Sequence, residues 1–275
     1  MNNYLELMHD VRHNGEDSDD RTGVGTRSLF GTKLDWDLRE GFPAPHTKQL
    51  AWKAVKGELF WFLSGSTNVY DLAMLTHGDV TKPTIWTANY ENQAKALGYK
   101  EGHLGPVYGE QFYYCNQLNN FIQGIIATPN SRRHIITLWN PKEIDAMALP
   151  PCHGLVIQAN ISKEGYLDMT WYQRSVDVFL GLPFNIASYA LLQHIIAEIC
   201  GLEVRKLTFM GGDTHVYNNH FDAVDEQLSR QEAETKPTLV MPKFKHLREY
   251  IYSNIDDFVL ENYNPMPAIK APMAV

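Results

Sequence analysis

A cysteine stands in an unusual setting at Leu149–His153, where the sequence reads LPPCH. A free cysteine has a pKa of about 8.5 and is only about 3% thiolate at neutral pH, and the thiolate is the nucleophilic form. Pro150 and Pro151 each fix φ and should hold Cys152 rigidly at the start of a strand. Cys152 is therefore a candidate nucleophile if a cation lies beside it. Otherwise it is a small buried cysteine that follows a proline turn.

Three arginine-containing segments could supply that cation: DRTG at 20–23, SRR at 131–133 and QRS at 173–175. The fork of Arg174 and the hydroxyl of Ser175 would together suit a phosphate, and the guanidinium could also stabilise a neighbouring thiolate. The local sequence leaves two simpler interpretations open. Arg174 could be solvated at the end of a surface strand, and Arg132 and Arg133 could be an ordinary surface pair.

Two further polar segments could bind a nucleotide. Asn185 follows Leu-Pro-Phe at the start of an apolar run, so it is either a helix N-cap or an amide that pairs with the N3–H and O4 edge of uracil. The segment DTHVY at 213–217 is either a helix start with a favourable acid or a set of groups for a sugar hydroxyl.

Several other kinds of site are excluded by the sequence. It contains no P-loop, no HExxH motif and no complete dinucleotide fingerprint. The spacing of His215 and His220 does not place them on one helical face, and no second cysteine lies near Cys152. No metal site is predicted.

Composition limits the partners and the compartment. A net charge of -8 argues against broad nucleic-acid binding, because phosphate contacts require a basic face. The 3 cysteines lack the spacing of a disulfide framework, which indicates a reducing compartment. The first ten residues lack a signal-peptide pattern, and the apolar stretch Tyr189–Leu202 is interrupted by Gln193, His194 and Glu198. We expect a cytoplasmic protein with no membrane partner.

Periodicity predicts the elements that must position these residues. Predicted helices cover Tyr4–Val11, Leu50–Leu63 with Glu58 inside it, Phe121–Ile126 and Phe184–Cys200. Predicted strands cover Leu34–Leu38, Ile135–Trp139, Leu155–Ile161, Tyr166–Tyr172 and Val204–Met210. A loop is expected at 17–27, a hairpin turn at Ser162–Gly165, and a further helix near Thr214 after Gly211-Gly212. Without a linker or repeat, the 275 residues with 44% hydrophobic content predict one α+β domain.

From Asp20 to the last residue the sequence resembles the thymidylate synthase family. The resemblance rests on these stretches in family order: DRTGVGT, FGTKL, GELFWFLSGSTN, LGPVYG, SRR, WNP, MALPPCH, QRSVD, LGLPFNIASYALL, GGDTHVYNNH and IKAPMAV. It implies a single domain over residues 1–275, with a large mixed β-sheet flanked by helices and the sheets of two copies packed back to back in a homodimer.

The resemblance also implies a reaction. A cysteine thiolate adds to C6 of dUMP, and C5 then attacks the one-carbon unit of the co-substrate 5,10-methylenetetrahydrofolate. After loss of the C5 proton and elimination of folate, hydride from folate reduces the exocyclic methylene. The products are dTMP and dihydrofolate.

Site residues carried over by motif fall into three groups. The implied catalytic residues are Cys152 (nucleophile), Glu58 (proton transfer through water), Tyr108 (removal of the C5 proton), Arg174, Asp177 and Asn185. The implied dUMP contacts are Arg21, Arg174 and Ser175 for the phosphate, Arg132 and Arg133 from a partner subunit, Asn185 for the base, His215 and Tyr217 for the ribose, and Gln173 and Asp177. The implied folate contacts are Asp177 at the pterin, Lys48 at the glutamate end, Trp86, Leu149, Phe184 and Ala274.

The sequence departs from the usual family pattern at four places: Trp86-Thr87, Gln111–Tyr113, His46–Gln49 and Gly154–Gln158. These segments flank the expected folate cavity, where Trp86 and Ala271–Val275 should exclude water. If water instead of hydride trapped the methylene, the product would be 5-hydroxymethyl-dUMP, as in the related nucleotide hydroxymethylases. A third alternative is a nucleotide- or RNA-binding relative without turnover. Retention of Cys152 and the arginines argues against the relative without turnover, and the presence of Trp86 and Ala271–Val275 as the expected shield favours the synthase over the hydroxymethylase.

Overall fold

A computed structural model of the chain describes residues 1–19 and 23–272. The helices are α1 (Asn2–Asn14), α2 (Trp52–Leu63), α3 (Val69–His77), the single turn α4 (Thr87–Asn89), α5 (Tyr108–Tyr113), α6 (Gln117–Ala127), α7 (Leu182–Cys200), α8 (Phe221–Ser229) and α9 (Leu247–Ile251). The strands are β1 (Glu16–Ser18), β2 (Thr26–Asp37), β3 (Ile135–Ile136), β4 (His153–Ile161), β5 (Tyr166–Asp177), β6 (Glu203–Tyr217), β7 (Thr238–Val240) and β8 (Val259–Glu261).

A mixed sheet carries the site. Its strand order is β1-β2-β6-β5-β4-β3, and β7 pairs with β8 in a separate two-stranded sheet. Strands β5 and β6 run parallel, and the other neighbours in the large sheet run antiparallel. With helices packed against a mixed sheet, the α+β prediction is confirmed.

The central helix α7 is buried along most of its length and contacts β5, β6 and α2. Its sequence is apolar on all sides, as expected of a helix enclosed by the core. Pro183 lies in its first turn, where the missing N–H costs nothing, and Gly201 ends it in a left-handed conformation with φ of 67°. Because α7 begins at Leu182, Asn185 lies inside its first turns. The N-cap interpretation of Asn185 was therefore wrong.

Strand β6 is longer than the sequence predicts. It continues through Gly211-Gly212 to Tyr217, paired with β2 on one side and β5 on the other, so the predicted helix near Thr214 is wrong. A Cβ on Gly212 would lie 2.8 Å from the carbonyl oxygen of Arg174. The two glycines permit a close approach between strands and do not end the strand. The next helix starts only at Phe221.

Other predicted bounds shift at their ends. The predicted loop at 17–27 instead carries the end of β1 and the start of β2, which pair with each other at Ser18 and Thr26. The predicted strand Ile135–Trp139 is reduced to β3. Among the described residues, no helix is long and apolar enough to cross a membrane.

Candidate active site

Cys152 lies immediately before β4, behind the two prolines. The backbone carbonyl of Cys152 accepts a hydrogen bond from the backbone N–H of Arg174 on β5, at 2.9 Å. This pairing brings the side chain of Arg174 beside the cysteine, with Nη2 3.7 Å from Sγ. The predicted convergence of an arginine on Cys152 is therefore present.

The guanidinium of Arg174 is fixed by the proline turn. Its Nε donates to the carbonyl oxygen of Pro151 at 2.9 Å, and its Nη2 donates to that of Pro150 at 3.3 Å. Burial raises the pKa of the Cys152 thiol, and the nearby positive charge of Arg174 acts in the opposite direction. The prolines thus position both the candidate nucleophile and a cation that can stabilise its thiolate.

A half-buried glutamate, Glu58 on α2, faces the same region. Its Oε1 accepts a hydrogen bond of 2.7 Å from the indole N–H of Trp86. Burial raises the pKa of Glu58 to about 7, and the bond from Trp86 lowers it in part. A carboxyl group with this pKa can accept or release a proton near neutral pH.

Aromatic packing connects Glu58 to Cys152. The ring of Trp86 packs edge-on against that of Tyr108, with 5.7 Å between the ring centroids. Tyr108 Oη accepts the backbone N–H of Cys152 at 2.6 Å. Burial raises the pKa of Tyr108 well above its ordinary value, so the phenol stays neutral.

His153 and Tyr189 belong to the same cluster, although neither is among the residues predicted from the sequence. His153 Nδ1 lies 2.8 Å from Tyr189 Oη, and the ring centroids of His153 and Tyr108 are 4.6 Å apart. Burial lowers the pKa of His153 to about 3, which makes the ring neutral. The only sequence signal for His153 is its position next to Cys152.

The predicted nucleotide-binding residues lie on neighbouring elements. Ser175 pairs with Asp213 across β5 and β6, and His215 Nδ1 lies 2.8 Å from Asp213 Oδ1. The rings of His215 and Tyr217 are in contact, with centroids 5.1 Å apart. The side-chain amide of Asn185 makes no hydrogen bond with the described part of the chain, although only 8% of the residue is exposed.

Gln173 and the paired arginines differ in exposure. Gln173 is buried in β5, where its amide N–H donates to the backbone oxygen of Ser175 at 3.3 Å. Arg132 and Arg133 are exposed on the loop before β3, and no hydrogen bond or ion pair joins them to Cys152 or Arg174 in residues 1–19 and 23–272. Arg21 and Ala274, also predicted from the sequence, lie outside the described residues.

Comparisons with known proteins extend over the whole chain. The family model described as thymidylate synthase matches residues 2–275. The chain is 53% identical to the "Probable thymidylate synthase" of Escherichia phage T5 over 280 residues, and 51% identical to the "Thymidylate synthase" of Enterobacteria phage T4 over 288 residues, with 100% of both chains covered in each case.

The chain belongs to the thymidylate synthase family.

Its fold agrees with that assignment. The crystal structure of thymidylate synthase from T4 phage matches this chain with a TM-score of 0.93 and 50% identity, covering 100% of both chains. The family membership inferred from the sequence motifs is confirmed.

The residues expected at the folate site of a thymidylate synthase have free acceptors and apolar surfaces. Asp177, at the end of β5, receives the backbone N–H groups of Phe179 and Leu180 on Oδ1, at 2.8 and 3.0 Å. Within the described chain its Oδ2 accepts no hydrogen bond, so it is available to the N–H groups of a pterin. Leu149 and Phe184 are half-buried, and Trp86 is buried.

Lys48 occupies an internal position. Its Nζ donates to the backbone oxygen of Phe179 and lies 3.6 Å from the centroid of the Phe179 ring. Burial lowers the pKa of Lys48 to about 7. Both of these contacts of Lys48 are therefore made inside the chain with Phe179, two residues after Asp177.

The segments that depart from the usual family pattern have their own partners. Thr87 Oγ1 accepts the backbone N–H of Thr84 at 2.8 Å, Gln111 Nε2 donates to Glu143 Oε2 at 2.7 Å, and His46 Nδ1 lies 3.1 Å from Glu232 Oε1. In the described residues, no group of three or more His, Cys, Asp or Glu side chains could hold a metal ion.

Proposed function

We propose that this chain is a thymidylate synthase that converts dUMP and 5,10-methylenetetrahydrofolate to dTMP and dihydrofolate. The observation that carries the proposal is the 3.7 Å contact between Arg174 Nη2 and Cys152 Sγ, held by the carbonyl oxygens of the two prolines. It provides a pre-positioned thiolate next to a cation that suits a phosphate.

Each step of the reaction has a residue suited to it. Cys152 attacks C6 of dUMP, while Arg174, Ser175 and Arg21 bind the phosphate. The free amide of Asn185 reads the N3–H and O4 edge, and His215 and Tyr217 bind the ribose hydroxyl. Folate supplies the one-carbon unit and the hydride.

Proton transfer is assigned to Glu58 and Tyr108. With a pKa of about 7, Glu58 can relay a proton through water to and from O4 of the base. Tyr108 accepts the Cys152 N–H on its oxygen, and its hydroxyl also interacts with the Cys152 thiol, so the phenol lies where it could orient the water that removes the C5 proton. Neutral His153, hydrogen bonded to Tyr189, holds one wall of this cluster.

Trp86, Leu149 and Phe184 are the proposed apolar walls that keep water from the methylene, with Asp177 at the pterin and Lys48 toward the glutamate end. The water-trapping alternative requires access that these walls should deny. The Glu58–Trp86 bond favours the synthase, because it anchors the buried indole of Trp86 inside the cluster.

Mass spectrometry of the product tests the proposal. With dUMP and methylenetetrahydrofolate the chain should form dTMP and one dihydrofolate per turnover. Cys152→Ser should abolish turnover and still bind dUMP, whereas Cys115→Ser, at an exposed cysteine, should retain activity. A 5-hydroxymethyl product with tetrahydrofolate would establish the hydroxymethylase instead, and nucleotide binding without any product would establish a non-catalytic relative.

We also propose a homodimer built through the outer face of the sheet. Val156, Tyr172 and Met210 are cross-strand neighbours in β4, β5 and β6, and the residues next to them, Ile157, Trp171 and Phe209, point into the core. Val156 and Met210 are 41% and 42% exposed, which leaves an apolar row for a second copy to cover.

The exposed Arg132 and Arg133 would then complete the phosphate site of the other copy. Mixing inactive Cys152→Ser with inactive Arg132→Ala/Arg133→Ala after partial unfolding and refolding should restore activity, because the hybrid contains one intact site. Failure of hybrids to regain activity would place these arginines outside the partner's site. The free cysteines also suit our proposal of a cytoplasmic, single-domain chain.

A further inference from the structure

Trp139, in the loop after β3, lies against the arginine side chain that faces the candidate nucleophile. The central carbon of the Arg174 guanidinium is 5.6 Å from the centroid of the indole ring. A guanidinium within about 6 Å of an aromatic centroid is attracted by the ring quadrupole, most strongly when the ring is that of tryptophan. Both side chains are half-buried, so water screens this attraction only in part. Trp139 is therefore placed to hold the cation beside Cys152.

The indole adds a contact that the hydrogen bonds of the guanidinium do not supply. Nε and Nη2 of Arg174, which form one edge of the group, donate to the carbonyl oxygens of Pro151 and Pro150. Nη1 makes no hydrogen bond within residues 1–19 and 23–272. Bonds along one edge leave the guanidinium free to tilt about that edge, and contact with the face of Trp139 opposes the tilt. Nη1 stays available to a phosphate.

The chain on both sides of Trp139 is itself held in place. Before it, the side-chain amide of Gln117 makes two bonds to the backbone of Thr137: Oε1 accepts the N–H at 2.9 Å, and Nε2 donates to the carbonyl oxygen at 2.8 Å. After it, Asn140 Nδ2 donates to Glu143 Oε2 at 2.9 Å. The loop therefore presents the indole from a fixed backbone.

We infer that Trp139 is a positioning residue whose indole face holds the guanidinium of Arg174 against Cys152. It thereby helps to set both the reactivity of the thiol and the affinity for the phosphate of dUMP. The inference deepens the proposed function and rests on it only for the effect on dUMP, because the effect on the thiol needs no nucleotide. Within the described chain, the titratable groups that act on the thiol are Arg174 and Tyr108.

Three variants isolate the face of the indole. Trp139→Leu keeps apolar bulk and removes the ring, and Trp139→Phe keeps a ring that attracts a cation less strongly. Trp52→Leu is the matched control. Trp52 is also half-buried and also faces one cation, because Lys56 Nζ lies 5.8 Å from the centroid of its ring in α2.

Alkylation of Cys152 by iodoacetamide, measured against pH without nucleotide, provides a readout that does not depend on turnover. The exposed Cys115 is the internal reference. Trp139→Leu should slow alkylation of Cys152 at neutral pH by about two- to fivefold and raise the midpoint by about half a pH unit, as expected for loss of a partly exposed cation–π contact. Trp139→Phe should lie between Trp139→Leu and the wild type. Trp52→Leu should leave the rate and the midpoint unchanged.

A double variant separates positioning of the arginine from a general loss of packing. In Arg174→Met the cation is absent, so adding Trp139→Leu should leave the alkylation midpoint where Arg174→Met alone puts it. With Arg174 present, Trp139→Leu should also raise the KM for dUMP about two- to fivefold, because Nη1 is held less firmly for the phosphate.

An unchanged midpoint in Trp139→Leu would overturn the inference. A shift that persists in full when Trp139→Leu is added to Arg174→Met would overturn it too, since the indole would then act on Cys152 without the arginine. If Trp139→Leu does not fold, Trp139→Phe decides by the same two criteria. A wild type that forms no dTMP, while Trp139→Leu shifts the midpoint, refutes only the proposed function. A wild type that forms dTMP, with no shift in Trp139→Leu, refutes only the role of Trp139.

Discussion

Removing the charge of Arg174 should make Cys152 a weaker nucleophile by a calculable amount. The guanidinium lies 3.7 Å from Sγ, in a site where burial already raises the pKa of the thiol. Two unit charges about 4 Å apart interact by about 4 kcal/mol at an effective dielectric constant of about 20, which is an upper limit. A net contribution of about 1.5–3 kcal/mol is typical of a hydrogen bond to a charged group. Because about 1.36 kcal/mol corresponds to one pKa unit, Arg174→Met should raise the pKa of Cys152 by about 1–2 units.

The assay is the pH dependence of alkylation by iodoacetamide, followed by mass spectrometry of the peptide that contains Cys152. The exposed Cys115 in the same sample serves as an internal reference for reagent and unfolding. At neutral pH the Cys152 rate should fall about tenfold or more in Arg174→Met, since the thiolate fraction falls with each pKa unit. Arg174→Lys retains the charge but loses the fork to the two proline carbonyls, so its midpoint should lie between those of the wild type and the Met variant.

An unchanged midpoint in Arg174→Met, with unchanged alkylation of Cys115, would refute this account of thiolate stabilisation. The cation that matters would then have to be another residue. A midpoint that shifts equally in the Lys and Met variants would show that the geometry of the fork, rather than the charge alone, sets the pKa of Cys152.

Three further predictions follow from the buried polar groups. Glu58→Gln should lose most turnover. Because the pKa of Glu58 is raised in the folded state, the wild type loses stability as pH rises from about 4.5 to about 7. Glu58→Gln, which has no carboxyl group to ionise, should therefore be more stable than the wild type above pH 7, by up to about 3 kcal/mol. Urea titration at pH 5 and pH 8 measures this, and an equal difference at both pH values would contradict it. Tyr108→Phe leaves the Cys152 N–H without its 2.6 Å acceptor, so urea unfolding should show a loss of about 1–3 kcal/mol as well as reduced turnover. Gly212→Ala puts a Cβ 2.8 Å from the Arg174 oxygen and should weaken both dUMP binding, measured by titration, and stability by about 1–3 kcal/mol; wild-type dUMP affinity would show that the strand tolerates the shift.

The elements that the sequence predicts well are those with an uninterrupted period. Helices α2 and α7 and the hairpin of β4 and β5 follow directly from their apolar patterns, with ends shifted by a few residues. The apolar pattern fails to predict the end of β6, because Gly211-Gly212 resembles a turn between two elements. Gly212 is required by the approach of Arg174 and Tyr172 on β5, and that cause lies in another strand.

The contact between Cys152 and Arg174 shows why the site could not be derived from spacing alone. The two residues are 22 positions apart and meet through the pairing of β4 with β5, in which the register shifts between His153 and Val156. A one-residue change in register would turn Arg174 to the other face of the sheet. Only the family resemblance supplied this convergence in advance, because the register depends on the whole hairpin.

A comparison of two carboxylates on β5 supports the ligand-binding role that we propose for Asp177. Asp168 on β5 is saturated: Arg205 donates to both of its oxygens, and the backbone N–H of Lys206 adds a third bond. Asp177, nine residues along the same strand, keeps Oδ2 without a donor in the described chain, and the amide of Asn185 is likewise unpaired. A polar group that is buried without partners is costly, so the unpaired groups of Asp177 and Asn185 are consistent with the ligands that we propose for them. This incompleteness, unlike residue type or spacing, is visible only in the folded chain.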